Sequence, residues 1–368
     1  MTRNNNILFV TTHTKPDFHY GGVVESGSNL ISNLRKISKV PIFLICVSKN
    51  TNTKNLNLIF KSIIFHRWGF SISLIIPLLN KIYKSDKIFI NGIVTFPTTL
   101  ALFFSVIFKK SFIVSIRGGL QPWRRNHKKW KKYFYFKLFV YPFIKHAKFI
   151  HTTSIDEEKS LNTLGFMNTF VVTNGIEKND FIFESRIKSS NKFQFLFLSR
   201  TDKEKGIDIL LEAYELFTNK YGILNNELLI IGPDNQNYLK NLNINYSQKN
   251  IIYKDGIYAN DKLQLMKSVD VFVLPSYSEN FGNVIAEALA CSTPVITTTG
   301  TPWTILNEIG CGLCIDPTSK NLFIAMEKLF LLKNFELQEM GQKAKNYIFT
   351  NFLWENKAQE ILTKIELL

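Results

Sequence analysis

Residues 271–296 constrain the fold more than any other stretch of this chain. Val271-Phe272-Val273-Leu274 is an apolar, largely β-branched run closed by Pro275, and it reads as a buried strand. A polar loop follows through Ser276, Ser278, Glu279 and Asn280 to a Phe281-Gly282 turn. A helix then starts near Asn283, and Pro294-Val295-Ile296 reads as the next strand. Strand, loop, helix and strand make a βαβ unit. Its loop lies at the carboxyl end of a parallel strand, where open α/β sheets bind ligands. Glu279 falls in that loop, and Glu287 in the first turn of the helix.

The same plan appears twice. Strands are expected at residues 7–10, 42–46, 88–90, 112–116, 150–152 and 171–173, with helices at 24–34, 93–108 and 127–145. After a polar, irregular stretch the pattern restarts, with strands at 195–198, 227–231, 251–253 and near Val271, and a helix at 209–220. Alternating strands and helices imply parallel sheets. The expected organisation is an α/β chain of two doubly wound, Rossmann-like domains facing across a cleft. They span residues 1–178 and 193–350, with a linker at 179–192 and a C-terminal helix at 351–368 crossing the junction.

A chain of 368 residues with 45% hydrophobic and 14% aromatic content can bury two cores. Of its four cysteines (Cys46, Cys291, Cys311, Cys314), Cys311 and Cys314 form one C-x-x-C without the second pair of a structural zinc site, and all four read as core residues of a reducing compartment. No signal peptide is expected, because the polar residues before Ile7 run straight into a strand. The most apolar window, residues 88–108, contains Asn91, Gly92 and Pro97 and suits strand, turn and helix better than a membrane span.

Charge is unevenly spread. Residues 1–180 hold 26 Lys and Arg against 8 Asp and Glu, whereas residues 181–368 hold 19 against 21. Between Asp86 and Asp156 there is no acidic residue. That gap includes Arg117, Arg124, Arg125, Lys128, Lys129, Lys131 and Lys132, interleaved with Trp123, Trp130, Tyr133 and Phe134. A basic, aromatic-rich helical stretch suits an anionic membrane surface. A solvated face over a core helix is the alternative. Nucleic acid is a third reading, without a recognised motif, and is not expected.

Three segments occupy the position just past a strand. Gly21-Gly22 lets a backbone approach a ligand and offers N–H groups at a helix start. Arg200 and Lys205 place two cations on one loop, a forked grip and a point charge for phosphate. Around the opening motif, Glu279 can accept bonds from sugar hydroxyls, while Phe281, Gly282 and Asn283 present backbone N–H groups at a helix start. Glu287 suits a ribose. Against these stand blander readings: an ordinary turn, a solvated charge cluster, a loop carboxylate in water for Glu279, and a first-turn carboxylate for Glu287. A diphosphate, a sugar and a ribose together would use all of these groups.

The second half resembles the C-terminal domain of retaining GT-B glycosyltransferases of the GT4-like, glycosyl transferases group 1 family. The resemblance rests on Arg200, Lys205-Gly206-Ile207-Asp208, Gly232, Pro275-Ser276, Glu279-Asn280-Phe281-Gly282-Asn283, Glu287-Ala288-Leu289-Ala290, Pro294-Val295-Ile296, Thr301-Pro302-Trp303 and Gly310-Cys311-Gly312. Glu279 and Glu287 match an E-x7-E signature. The first half is similar more loosely, through Gly21-Gly22, Arg117-Gly118-Gly119-Leu120, Trp123, Thr153-Ser154, Glu157 and Asn174-Gly175-Ile176.

The resemblance implies transfer of a hexose or N-acetylhexosamine, with retention, from a UDP- or GDP-sugar to a hydroxyl. It implies no cofactor and no metal. Arg200 and Lys205 would neutralise the leaving diphosphate, Glu279 would hold the donor sugar and Glu287 the ribose. Gly22 would close over the diphosphate. Arg117 stands where many relatives place a His. It would contact the donor, contact an anionic acceptor, or anchor the glycine turn. The expected acceptor is a lipid-linked oligosaccharide of bacterial surface polysaccharide synthesis (O-antigen, capsule or lipopolysaccharide). The expected location is cytoplasmic, peripheral at the inner face of the membrane. A GT-B sugar-nucleotide epimerase and a non-catalytic nucleotide-sugar or nucleic-acid binding protein are the alternatives.

Each Lys or Arg near an anionic surface contributes about 1 kcal/mol. Replacing Lys128, Lys129, Lys131 and Lys132 together with Gln is therefore expected to weaken cosedimentation with anionic liposomes at low salt. Unchanged cosedimentation would remove the membrane reading.

Overall fold

The apolar runs form two all-parallel sheets in a computed structural model that describes residues 6–15, 22–48, 57–66, 68–120, 134–182, 190–234, 237–241, 250–257 and 259–368. The chain divides into Met1–Gly175 with Trp354–Leu368, and Ile176–Leu353.

The N-terminal unit holds strands β1 (Ile7–Thr11), β2 (Ile42–Ser48), β3 (Asn57–Lys61), β4 (Lys87–Asn91), β5 (Ser111–Ser115), β6 (Phe149–Thr152) and β7 (Thr169–Val171). Their order is β3-β2-β1-β4-β5-β6-β7. Helices α1 (Gly22–Ile37), α2 (Ile75–Lys84), α3 (Phe96–Ile107), α4 (Tyr141–Ile144) and α5 (Ile155–Asn162) lie between strands. Alternate strand residues serve opposite faces. Leu8, Val10, Ile88, Ile90, Phe112 and Val114 pack with Leu78 and Leu102 of α2 and α3. Ile7, Phe9, Phe89 and Ile113 face the other way, under Leu30 and Leu34 of α1.

The C-terminal unit holds β8 (Phe193–Leu198), β9 (Asn226–Ile231), β10 (Ile251–Lys254), β11 (Val271–Leu274), β12 (Val295–Thr298) and β13 (Gly312–Ile315), ordered β10-β9-β8-β11-β12-β13. Its helices are α6 (Ile207–Tyr221), α7 (Tyr238–Asn241), α8 (Ala259–Ser268), α9 (Asn283–Ala290), α10 (Leu306–Ile309), α11 (Ser319–Phe330) and α12 (Asn334–Asn351). Large aromatics fill one side of this core: the Phe217 ring lies 5.3 Å from Phe195 and 5.1 Å from Phe330. All four cysteines are buried, and none is in a disulfide.

The final helix, α13 (Trp354–Glu366), belongs to the N-terminal unit. Trp354, Ala358, Ile361, Leu362 and Ile365 join α1 over the face formed by Ile7, Phe9, Phe89 and Ile113. Near the start of the C-terminal unit, Phe181 is only 3% exposed and joins its core, although it lies in the stretch read as linker.

Two expectations from sequence change in detail. The described part of the 127–145 segment is a π-helical turn over Phe136–Val140 followed by α4. Pro142 has no N–H to donate one turn back, and the chain widens just before it. Strand β3 and strand β13 were not expected; β3 is a half-buried edge and β13 opens on a glycine.

Gly206 fixes how the loop after β8 meets the end of β11. Its φ is +69°, and a Cβ there would stand 1.9 Å from the Pro275 carbonyl oxygen. The left-handed conformation alone costs a non-glycine residue about 1–2 kcal/mol. Gly206→Ala is expected to lower unfolding stability by about 2 kcal/mol or more. A urea midpoint equal to the parent's would show that the two loops are not clasped at this point.

Candidate functional site

Between β8 and β11 the order of the C-terminal sheet reverses. The chain leaves β8 toward β9 and leaves β11 toward β12. Loops from the two carboxyl ends diverge there and leave a crevice. The Tyr277 N–H donates to the Glu204 carbonyl at 3.0 Å, tying the two loops together. The Tyr277 hydroxyl donates to Asp208 at 3.3 Å, and burial together with that carboxylate raises its pKa to about 12.

Across this join Lys205 reaches Glu279, with Nζ 2.5 Å from Oε1. The two side chains are 7% and 15% exposed, so Glu279 is not a loop carboxylate in open water. Its backbone is fixed as well, the Glu279 N–H donating to the Gly300 carbonyl at 2.8 Å. Arg200, on the loop with Lys205, contacts Asp202 at 2.9 Å and Glu204 at 3.9 Å. Its side chain is 37% exposed, and an ion pair so open to water holds weakly. Arg200 can therefore change partners at small cost, whereas Lys205 is held in place.

Gly282 caps α9 with φ +79°, and its carbonyl accepts from the N–H groups of Ile285 and Ala286. A left-handed residue turns the chain sharply into the helix, which begins at Asn283. The Phe281 side chain is buried against Trp303, with ring centroids 5.3 Å apart. Trp303 Nε1–H donates to the Phe281 carbonyl at 2.5 Å. The Phe281 ring is thus a core support for the turn.

Glu287 is corrected in position. It is the fifth residue of α9, whose first turn carries no acid, so the first-turn carboxylate reading falls. Its carboxylate is buried and accepts from Lys262 Nζ of α8 at 2.8 Å. Lys262 was missed in sequence. It lies 25 residues earlier, with no motif joining the two. Two buried charges are tolerated because each neutralises the other.

In the N-terminal unit, Gly22 begins α1 and Gly21 lies outside the described residues. Arg124, Arg125, Lys128, Lys129, Lys131 and Lys132 also lie outside them. His13 is buried, with Nδ1 3.2 Å from the Val47 carbonyl. Arg117 follows β5 with φ +54° and is 6% exposed. Its Nε donates to Asn91 Oδ1 at 2.8 Å, and Nη1 donates to Asn174 Oδ1. Burial pulls its pKa down to about 10, against the opposing pull of Glu157.

Glu157 braces the same loop. Its carboxylate accepts from the N–H of Gly118 and, at 2.8 Å, from that of Thr153. Ser154 caps α5 by accepting from the Glu157 N–H at 3.2 Å. Beneath it, His151 sits between Ser115 Oγ and the Val172 carbonyl, each at 2.8 Å. Burial and the Arg117 charge depress its pKa to about 3, so it stays neutral. Among the described residues, no group of His, Cys, Asp or Glu side chains is arranged to hold a metal, and no helix is long and apolar enough to cross a membrane.

Comparison with known proteins places this geometry. Residues 178–347 match the family described as glycosyl transferases group 1. The capsular polysaccharide biosynthesis glycosyltransferase CapM of Staphylococcus aureus is 29% identical over 179 residues, 45% of this chain and 44% of that protein. The chain thus spans less than half the length of that relative. An uncharacterised 41.2 kDa protein of the Klebsiella pneumoniae cps region is 26% identical over 76% of this chain and 79% of its own. The structure of Anabaena HepE in complex with UDP-glucose superposes with a TM-score of 0.76 at 18% identity, over 99% of this chain and 100% of that one. Its likeness is one of fold. The chain therefore has the GT-B fold and is related to the glycosyl transferases group 1 family, whose model matches residues 178–347.

Proposed function

We propose that the chain transfers a hexose or N-acetylhexosamine, with retention, from a UDP- or GDP-sugar to a hydroxyl of a lipid-linked oligosaccharide in bacterial surface polysaccharide synthesis. The observation that carries this reading is the Lys205–Glu279 pair at the switch point of the C-terminal sheet, with Arg200 on the same loop. The capsular name of one relative and the UDP-glucose held by a structural relative support the substrate class.

In this reading the donor binds the C-terminal unit. Its diphosphate lies at the start of α9, by Phe281, Gly282 and Asn283. Arg200 exchanges its exposed carboxylate partners for phosphate oxygens. Lys205 supplies a fixed positive charge as the diphosphate leaves, with no reorganisation at the moment of reaction. Glu279 accepts from donor sugar hydroxyls while Lys205 holds its orientation. Glu287 accepts from the ribose, positioned by Lys262. The N-terminal unit receives the acceptor and, through its basic segment, lies against an anionic inner membrane face.

Loss of one pre-organised electrostatic contact typically costs about a hundredfold or more in turnover. Glu279→Ala and Lys205→Ala are each expected to lower nucleoside diphosphate release from a matched donor by at least that factor, with circular dichroism unchanged. Near-normal turnover in either variant sinks the donor-site assignment. Lys262→Met leaves Glu287 without its buried partner and is expected to cost about 3–5 kcal/mol of stability. It should also raise KM for the donor more than it lowers kcat. An unaltered KM in the folded variant would show that Glu287 does not hold the ribose.

A further inference from the structure

We propose that Arg117 forms an anion site in the N-terminal unit, taking a carboxylate or phosphate oxygen of the substrate this unit receives. The proposal rests on the transferase reading above and adds a chemical class to that substrate.

The N-terminal sheet has its own switch point, between β1 and β4. Thr11 ends β1 and Asn91 ends β4, and Asn91 Nδ2 donates to Thr11 Oγ1 at 3.2 Å. Helix α1 presses on the same amide: a Cβ at Gly27 would stand 2.5 Å from Asn91 Nδ2. Asn91 is thereby held with Oδ1 toward Arg117, and Asn174, just past β7, holds the guanidinium from a second direction. Every observed partner of Arg117 is a neutral amide oxygen.

A guanidinium has five N–H donors in a planar fork. Here Nε and Nη1 are engaged, while Nη2 is buried and has no hydrogen-bond partner. Among the described residues no carboxylate lies within ion-pair distance of Arg117. Glu157 is the nearby acid, and its oxygens are occupied by backbone N–H groups of the Arg117 and Thr153 loops. A buried guanidinium whose counter-charge, Glu157, stands beyond ion-pair distance and whose Nη2 is left open is unusual, since buried polar groups are normally bonded. An oxyanion would satisfy both the charge and the open donors. A neutral hydroxyl would satisfy only the donors. Screened from water, such a charge-assisted bond is strong and directional.

Two sources share this chemistry: an acidic group on the acceptor, and the diphosphate of the donor. Thermal-shift titration of the full chain at constant ionic strength separates them, with glucuronate, inorganic phosphate and UDP as probes. Glucuronate or phosphate is expected to bind the parent chain, and Arg117→Gln to weaken that binding by about tenfold to a hundredfold. UDP binding retained in Arg117→Gln assigns the site to the acceptor; UDP binding lost in parallel assigns it to the donor diphosphate. Equal binding of all three probes by parent and variant overturns the proposal. Should Arg117→Gln fail to fold, Asn174→Asp serves instead, because it supplies an internal counter-charge at Nη1. That variant is expected to melt higher than the parent without added anion and to lose the response to glucuronate and phosphate. An anion response equal to the parent's also overturns the proposal. Neither measurement uses turnover, so anion binding that persists in a chain inactive on every nucleotide sugar would sink the transferase reading alone.

Discussion

A parallel sheet forces the chain to cross back over one face after every strand, so all the carboxyl ends open on the same edge. Where the crossings change sides, two neighbouring loops part and leave a crevice. Both units of this chain obey that constraint, at β1 and β4 in one and at β8 and β11 in the other. The groups with chemistry to perform are found at these edges: Asn91 and Arg117 in the first unit, Lys205 and Glu279 in the second.

Electrostatic balance differs between the two edges. In the C-terminal unit each cation of the site has a carboxylate: Lys205 has Glu279, Lys262 has Glu287 and Arg200 has Asp202. Exposure then grades them. The buried pairs hold geometry, and the exposed pair remains free to exchange. In the N-terminal unit Arg117 bonds to amide oxygens, and Glu157, which accepts from backbone N–H groups, acts on it only from a distance. One edge pairs its charges directly, and at the other the buried guanidinium meets its counter-charge only at a distance.

Much of this organisation was legible in the sequence because it is written in local periodicity. Apolar runs such as Phe195–Leu198 and Val271–Leu274 mark buried strands, and the loops after them carry the charged residues. Two kinds of feature were not legible. Edge and short strands lack the signal: β3 is only half buried, and β13 begins on a glycine. Pairings across long separations leave no local trace either. Glu279 finds Lys205 from 74 positions away and Glu287 finds Lys262 from 25, through sheet order and not through spacing. The Thr153-Ser154…Glu157 pattern was visible, but its job is visible only in three dimensions, where one glutamate of the first turn of α5 both reaches back to the Thr153 N–H and holds the loop of Arg117.

The membership of α13 bears on how the chain is made. Residues 176–353 contain a whole unit and leave the ribosome as an uninterrupted block. The N-terminal unit begins first yet finishes last, because Trp354, Ile361 and Ile365 supply part of the cover for the face of Ile7, Phe9 and Phe89. Until residues 354–366 are made, that strip of sheet lacks this cover and is open to unwanted partners. Completion of the earlier unit is thus tied to residues made after the whole of the second, so a chain cut short before Trp354 would damage the half farthest from the cut in sequence.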